Sequence, residues 1–187
     1  MTPSGSQTVG PFFNFGLTAN AALGTLAGPG ARGKRIRLRF RVFDGTGAPS
    51  PGDAMIELWQ ADAEGRYPHA EDPQGAQADP HFQGFGRLET SPEGVCEFET
   101  VKPGRVPGPG GTSQAPHVNV IVFARGLLRH LHTRLYFAGD AANEHDPVLN
   151  LVPAARRATL LAAPGEDNVW QFDIRLQGGH ETVFFDL

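Results

Sequence analysis

The stretch that most constrains the fold is Lys34-Arg35-Ile36-Arg37-Leu38-Arg39-Phe40-Arg41-Val42, where Ile36, Leu38, Phe40 and Val42 alternate with arginine. A period of two puts the apolar side chains on one face and the basic ones on the other, which is the pattern of a half-buried strand. Asp44-Gly45-Thr46-Gly47 closes it with a turn signal, and a second strand is expected over residues 54–60. Further strands are expected over 95–101, 117–124, 131–137, 169–176 and 182–186, separated by breaks rich in Gly and Pro. Seven such strands predict an all-β chain, an antiparallel β-sandwich. One short helix is expected over 153–163, opened by Pro153 and stopped by Pro164-Gly165.

Composition supports this reading. Gly and Pro contribute 24 and 16 of the 187 residues without a fixed period, which implies many turns and long loops and excludes collagen. The length suits one buried core, so residues 1–187 are read as a single domain. A net charge of −4 argues against nucleic acid, because phosphate contacts need clustered excess cations. Cys96 is the only cysteine, so no disulfide within the chain and no cysteine zinc site can form, and the cytoplasm is the expected compartment. Residues 1–27 have no basic leader, and their apolar run is broken by Asn14, Thr18 and Asn20, so neither a signal peptide nor a membrane span is expected.

Two motifs mislead. Gly28 to Lys34 has the spacing of a phosphate-binding loop, but Arg35 stands where Ser or Thr would meet magnesium, and a strand follows where a helix is needed. His130 and His132 share a strand face, yet no third ligand lies at a telling distance, so they are read as structural. The arginines of the first strand are read as a solvated sheet face, with a subunit contact as the alternative.

The informative segments are Trp59-Gln60-Ala61-Asp62-Ala63-Glu64-Gly65-Arg66-Tyr67, then Lys102-Pro103-Gly104-Arg105-Val106, then Pro116-His117-Val118-Asn119. They flank the stretches 61–83 and 102–116, which are too long for simple turns, and loops of that length are often functional. In order and spacing these segments resemble the intradiol ring-cleaving dioxygenases, in particular the two-chain members that act on protocatechuate. Ser6 to Phe12, Phe123-Ala124-Arg125-Gly126, His130 to Phe137 and Glu181 to Asp186 carry the likeness from residue 6 to residue 186 and resemble that family's non-iron alpha chains.

The resemblance implies a β-sandwich of the intradiol type and a site built from two homologous chains. The iron-binding beta chain would present two tyrosines and a His-x-His pair to Fe(III), phenolates being hard anionic donors that favour the ferric ion. Tyr67 matches the first tyrosine and His117 the first histidine, whereas Val106 stands in place of the second tyrosine and Asn119 in place of the second histidine. Valine cannot ligate a metal, so no catalytic residue and no metal ligand is expected on this chain, and the four positions are vestigial.

The resemblance further implies that Gly10, Pro11, Phe12 and Arg125 line the substrate pocket around the partner's iron, with Arg125 suited to a carboxylated catechol. Residues 1–33 would be an extended segment packing on that partner in an (αβ)n hetero-oligomer. Two competing readings stand beside this one. One is a self-sufficient dioxygenase using Tyr67, His117, His130 and His132 as ligands; the other is a non-catalytic β-sandwich binding module, since fold alone does not fix function.

Overall fold

A computed structural model of the chain describes residues 11–48 and 54–186. A helix α1 (Pro11–Thr18) is followed by strands β1 (Arg35–Phe43), β2 (Ala54–Trp59), β3 (Phe85–Glu89), β4 (Val95–Val101), the short pair β5 (Val106–Pro107) and β6 (Ser113–Gln114), then β7 (His117–Ala124) and β8 (Leu131–Phe137). A one-turn helix α2 (Ala154–Arg157), β9 (Leu161–Pro164) and β10 (Val169–Arg175) complete the order.

Eight strands form one sheet in the order β3-β2-β7-β8-β9-β10-β1-β4. The sheet doubles over at β9, which pairs with β8 through Tyr136 and Phe137 and with β10 through Trp170 and Gln171. Ile36, Leu38, Phe40 and Val42 of β1 then meet Ile56, Leu58, Val118, Val120 and Val122 from the other half in one core. Phe40 lies edge-on to Phe98 at 5.7 Å and to Phe172 at 5.9 Å, an arrangement favoured by the ring quadrupoles. Each of the four β1 side chains buried here contributes about 1.5–3 kcal/mol of transfer free energy.

The all-β expectation holds, but the antiparallel sandwich does not: the eight strands form one mixed sheet. β1 runs parallel to β10, and β8 runs parallel to β9. Only strands joined by tight hairpins are forced antiparallel; β1 and β10 come from opposite ends of the chain and are free to align either way. Residues 182–186 form no strand and meet β8 at a bridge, His132 to Phe185, and through the Thr133 hydroxyl, which donates to the Val183 carbonyl at 2.8 Å. The helix expected over 153–163 shrinks to α2 and one 3₁₀ turn, because Leu161 to Pro164 are taken up as β9.

Three arginines of the polar face of β1 are paired with carboxylates of the same chain. Glu97 accepts from Arg37 at 3.0 Å and from Arg39 at 2.8 Å, and Asp173 takes a two-pronged contact from Arg41 at 2.7 and 2.6 Å. A second apolar cluster, Ala115, Tyr136, Leu149, Val152 and Leu160, lies outside β8 beneath the segment that ends in α2. No helix among the described residues is long and apolar enough to cross a membrane.

Candidate functional site

The site grows from the ends of β2, β7 and β8. Register places Trp59 opposite Asn119, Asn119 opposite Arg134, and His117 opposite Tyr136. Facing residues on neighbouring strands share a sheet face, so these five side chains stand together on the side away from the main core.

Two loops finish the wall. Asp62, nearly fully buried, accepts from the backbone amides of Glu64 at 2.9 Å and Arg66 at 3.0 Å with one oxygen, and from that of Asp79 at 2.9 Å with the other. Gly65 has a φ of +83°, and a β-carbon on it would fall 1.9 Å from the carbonyl oxygen of Arg105. Only glycine lets the two loops touch there. The amide of Gly104 donates to the carbonyl of Asp62 at 2.9 Å, and together these contacts bring Tyr67 beside Val106. Gln60, fully buried, ties β2 to β4 by donating to the Val101 carbonyl at 3.0 Å and accepting from the Thr100 hydroxyl at 3.0 Å.

The result is a cavity of about 370 Å³ whose lining includes Trp59, Tyr67, Val106, Gln114, His117 and Arg134. Tyr67 stacks on Trp59 at 5.6 Å and 12°. Burial raises its phenol pKa, against the opposing pull of the Arg134 charge and a hydrogen bond with Asn119. His117 donates from Nδ1 to the Ala115 carbonyl at 2.8 Å, since a carbonyl only accepts. Its Nε2 is buried without a partner among the described residues. Burial first, and then the charge of Arg134, push the His117 imidazole down to about 4, so the ring is neutral. Arg134 donates to the Gln114 side-chain oxygen at 2.7 Å and is also hydrogen-bonded to Tyr136, whose hydroxyl donates to Asp146 at 3.0 Å.

These side chains do not fit ferric iron. Val106 offers carbon where an oxygen donor is needed, and the Asn119 amide is engaged with the Trp59 carbonyl at 3.3 Å. A guanidinium already supplies the positive charge at this place. Nor do the histidines of the self-sufficient alternative converge. His132 lies opposite Ile121, four residues along β7 from His117, a separation of about 13 Å at the usual rise. His130 and His132 pack ring against ring at 4.7 Å, and Phe123 lies 5.3 Å from His130.

The structure thus gathers Tyr67, Val106, His117 and Asn119, and sets Arg125 apart. Arg125 is exposed in the turn that follows β7, at the opposite end of the strand from His117. Gly10 lies outside the described residues, and Pro11 and Phe12 open α1. The last residue of α1, Thr18, is hydrogen-bonded to Glu89, and register aligns Glu89 with Met55 and Met55 with Phe123. The end of α1 therefore lies at the same sheet end as Arg125. Reasoning from sequence missed Arg134 and Gln114. Alternation along residues 132–136 puts Arg134 on the face of Tyr136, but only the pairing of β8 with β7 sets it against His117 and Asn119.

A family model described as Dioxygenase matches residues 9–178. The chain is 46% identical to the protocatechuate 3,4-dioxygenase alpha chain of Burkholderia cepacia, over 97% of this chain and 96% of that one. It is 44% identical to the alpha chain of the same enzyme from Pseudomonas putida, over 97% and 95%. Against the beta chain from Burkholderia cepacia identity falls to 34%, over 95% of this chain and 77% of that one. Among solved structures, 3-chlorocatechol 1,2-dioxygenase from Rhodococcus opacus 1CP superposes with a TM-score of 0.66 at 23% identity, covering 92% of this chain and 71% of the other.

Proposed function

The chain belongs to the intradiol dioxygenase family, and from that premise we propose that it is the non-iron alpha subunit of a protocatechuate 3,4-dioxygenase. It pairs with a homologous beta chain in an (αβ)n hetero-oligomer located in the cytoplasm. The assembled enzyme cleaves protocatechuate between its two hydroxylated carbons with both atoms of dioxygen, giving 3-carboxy-cis,cis-muconate. Fe(III), held by the beta chain, supplies the dioxygen chemistry, and this chain binds none.

The observation that carries the proposal is the pairing of near full-length identity to alpha chains with a pocket whose donors do not suit the metal. The contribution of this chain is to wall the catechol pocket of its partner. Gly10, Pro11 and Phe12 line that pocket, and Arg125 takes the substrate carboxylate as a fork-shaped cation. Two features favour a partner at that end of the sheet: Phe15 in α1 is 67% exposed and Leu128 in the turn after β7 is 81% exposed. Residues 1–33 pack on the partner through the part before Leu26, which is itself buried in this chain.

Co-expression with the beta chain tests this. The pair is expected to hold one iron per pair and to turn over protocatechuate, while this chain alone carries no iron and no activity. Arg125→Ala in the pair is expected to raise KM for protocatechuate at least tenfold, the scale of one lost charge-assisted contact. Stoichiometric iron with a tyrosinate charge-transfer colour in this chain alone would overturn the proposal, as would a beta chain fully active without it.

A further inference from the structure

His130 immediately precedes β8, and His132 is the second residue of that strand. Side chains two apart on a strand point to the same face. Here the two rings meet, with centroids 4.7 Å apart and planes at 72°. Two imidazoles that share one metal ion at ordinary metal–nitrogen lengths, with an angle at the ion of about 90–110°, have centroids about 4.5–5.2 Å apart. The pair already stands at that spacing.

Both rings are half-buried and line a cavity of about 390 Å³ together with Arg129, Phe184, Phe185 and Asp186. Among the described residues nothing hydrogen-bonds to either ring nitrogen of His132, and neither nitrogen is sealed from solvent. The backbone beneath is clamped on both edges. On one side His132 is in register with Ile121 of β7; on the other its carbonyl accepts from the Phe185 amide at 2.8 Å. Donors held on a fixed strand lose little freedom when they bind.

The donor set narrows the ion. Neutral nitrogen donors suit late transition metals, whereas Mg²⁺ and Ca²⁺ take oxygen. Burial first, and then the neighbouring His130, lower the His132 pKa, so its ring offers a lone pair near neutral pH. Among the described residues no group of three or more His, Cys, Asp and Glu side chains is gathered to hold an ion. A closed structural zinc site, which takes four protein ligands, is therefore not formed, and positions beyond the two nitrogens fall to water. The Asp186 carboxylate favours a cation in this cavity and the Arg129 guanidinium opposes one; both are exposed, so solvent and salt screen them.

We propose that His130 and His132 form a two-nitrogen chelating site for a divalent late transition-metal ion, binding Cu²⁺ more tightly than Ni²⁺ or Zn²⁺. The site is separate from the pocket around Tyr67 and His117 and from the iron assigned above to the partner chain. It does not depend on the subunit assignment.

The test is equilibrium dialysis of Cu²⁺ against the full chain in whatever assembly it purifies, with any iron left in place. Wild type is expected to differ from His132→Gln and from His130→Gln by one tight site per copy of this chain. Each variant should bind there at least tenfold more weakly, the scale of losing one arm of a chelate. Copper taken up by a partner chain or by other histidines cancels in that difference. Electron paramagnetic resonance of the wild-type minus variant signal should show coupling to two imidazole nitrogens. Should one variant fail to fold, as judged by circular dichroism, the other carries the same expectation. Equal copper counts and affinities in wild type and the variants would overturn the proposal, as would coupling to a single nitrogen.

Discussion

Asp146 holds the far side of the pocket together, and replacing it by asparagine tests how. The side chain is fully buried. One oxygen accepts from the Tyr136 hydroxyl at 3.0 Å and from the amides of Val148 at 2.9 Å and Leu149 at 2.7 Å. The other accepts from the Ala115 amide at 2.7 Å. Asparagine keeps the shape but can accept at only one end. If its carbonyl faces the three donors, its NH₂ faces the Ala115 N–H, and a buried donor is left unmet at about 1–3 kcal/mol. The three retained bonds become neutral ones, each weaker by about 1 kcal/mol, offset in part because a buried charge no longer has to be desolvated. The net cost is about 2–4 kcal/mol, which for a domain of this size lowers Tm by about 4–16 °C. Tyr136→Phe removes one donor only and should cost about 1 kcal/mol. Thermal melts followed by circular dichroism decide between them. If Tyr136→Phe costs as much as Asp146→Asn, or Asp146→Asn shifts Tm by less than about 2 °C, the backbone contacts of Asp146 do not matter as argued.

Acid should weaken the fold through His117, whose folded pKa of about 4 lies below its ordinary value of 6.5. The unfolded chain then binds the proton first, so this contribution is intact above pH 6.5 and is lost as pH falls from 6.5 toward 4, by about 1.4 kcal/mol per unit and about 3 kcal/mol in all. Urea midpoints at pH 7.5, 6 and 5 should fall more steeply for wild type than for His117→Phe, and parallel slopes would contradict it. Gly65→Ala should cost about 2–4 kcal/mol, from backbone strain plus the clash with the Arg105 carbonyl. Gly139→Ala shares a φ of +80° but meets nothing within 4 Å, and should cost only about 1 kcal/mol in the same urea assay.

Strands were legible wherever alternation was strict. β4, β7 and β8 begin and end where the pattern does, and β1 shifts by one residue. β3 was missed because Gly86 interrupts its apolar face; the glycine is needed there, since a β-carbon would meet Leu26 at 2.6 Å. β9 was read as helix because Leu160-Leu161-Ala162-Ala163 has helical propensity, and pairing on both edges overrides it. At the site, Tyr67, Val106, His117 and Asn119 could be found through the family resemblance of the segments that carry them. Arg134 could not, because its meaning depends on which strand lies opposite, and register is a property of the sheet and not of any segment. The parallel pairing of β1 with β10 was hidden for the same reason.

The pocket divides into side chains that build it and side chains that face into it. Gln60, Asp62, Gly65 and Asp146 are buried, and each of the three polar ones is bound to backbone groups of loops it holds in place. Changing any of them strands buried donors or forces the loops apart. Val106 and Arg134 face inward and hold few other groups, Val106 contributing mainly its apolar side chain. Replacing a residue of this second kind alters the chemistry of the cavity at small cost to the fold. The scaffold can therefore be kept while the lining changes.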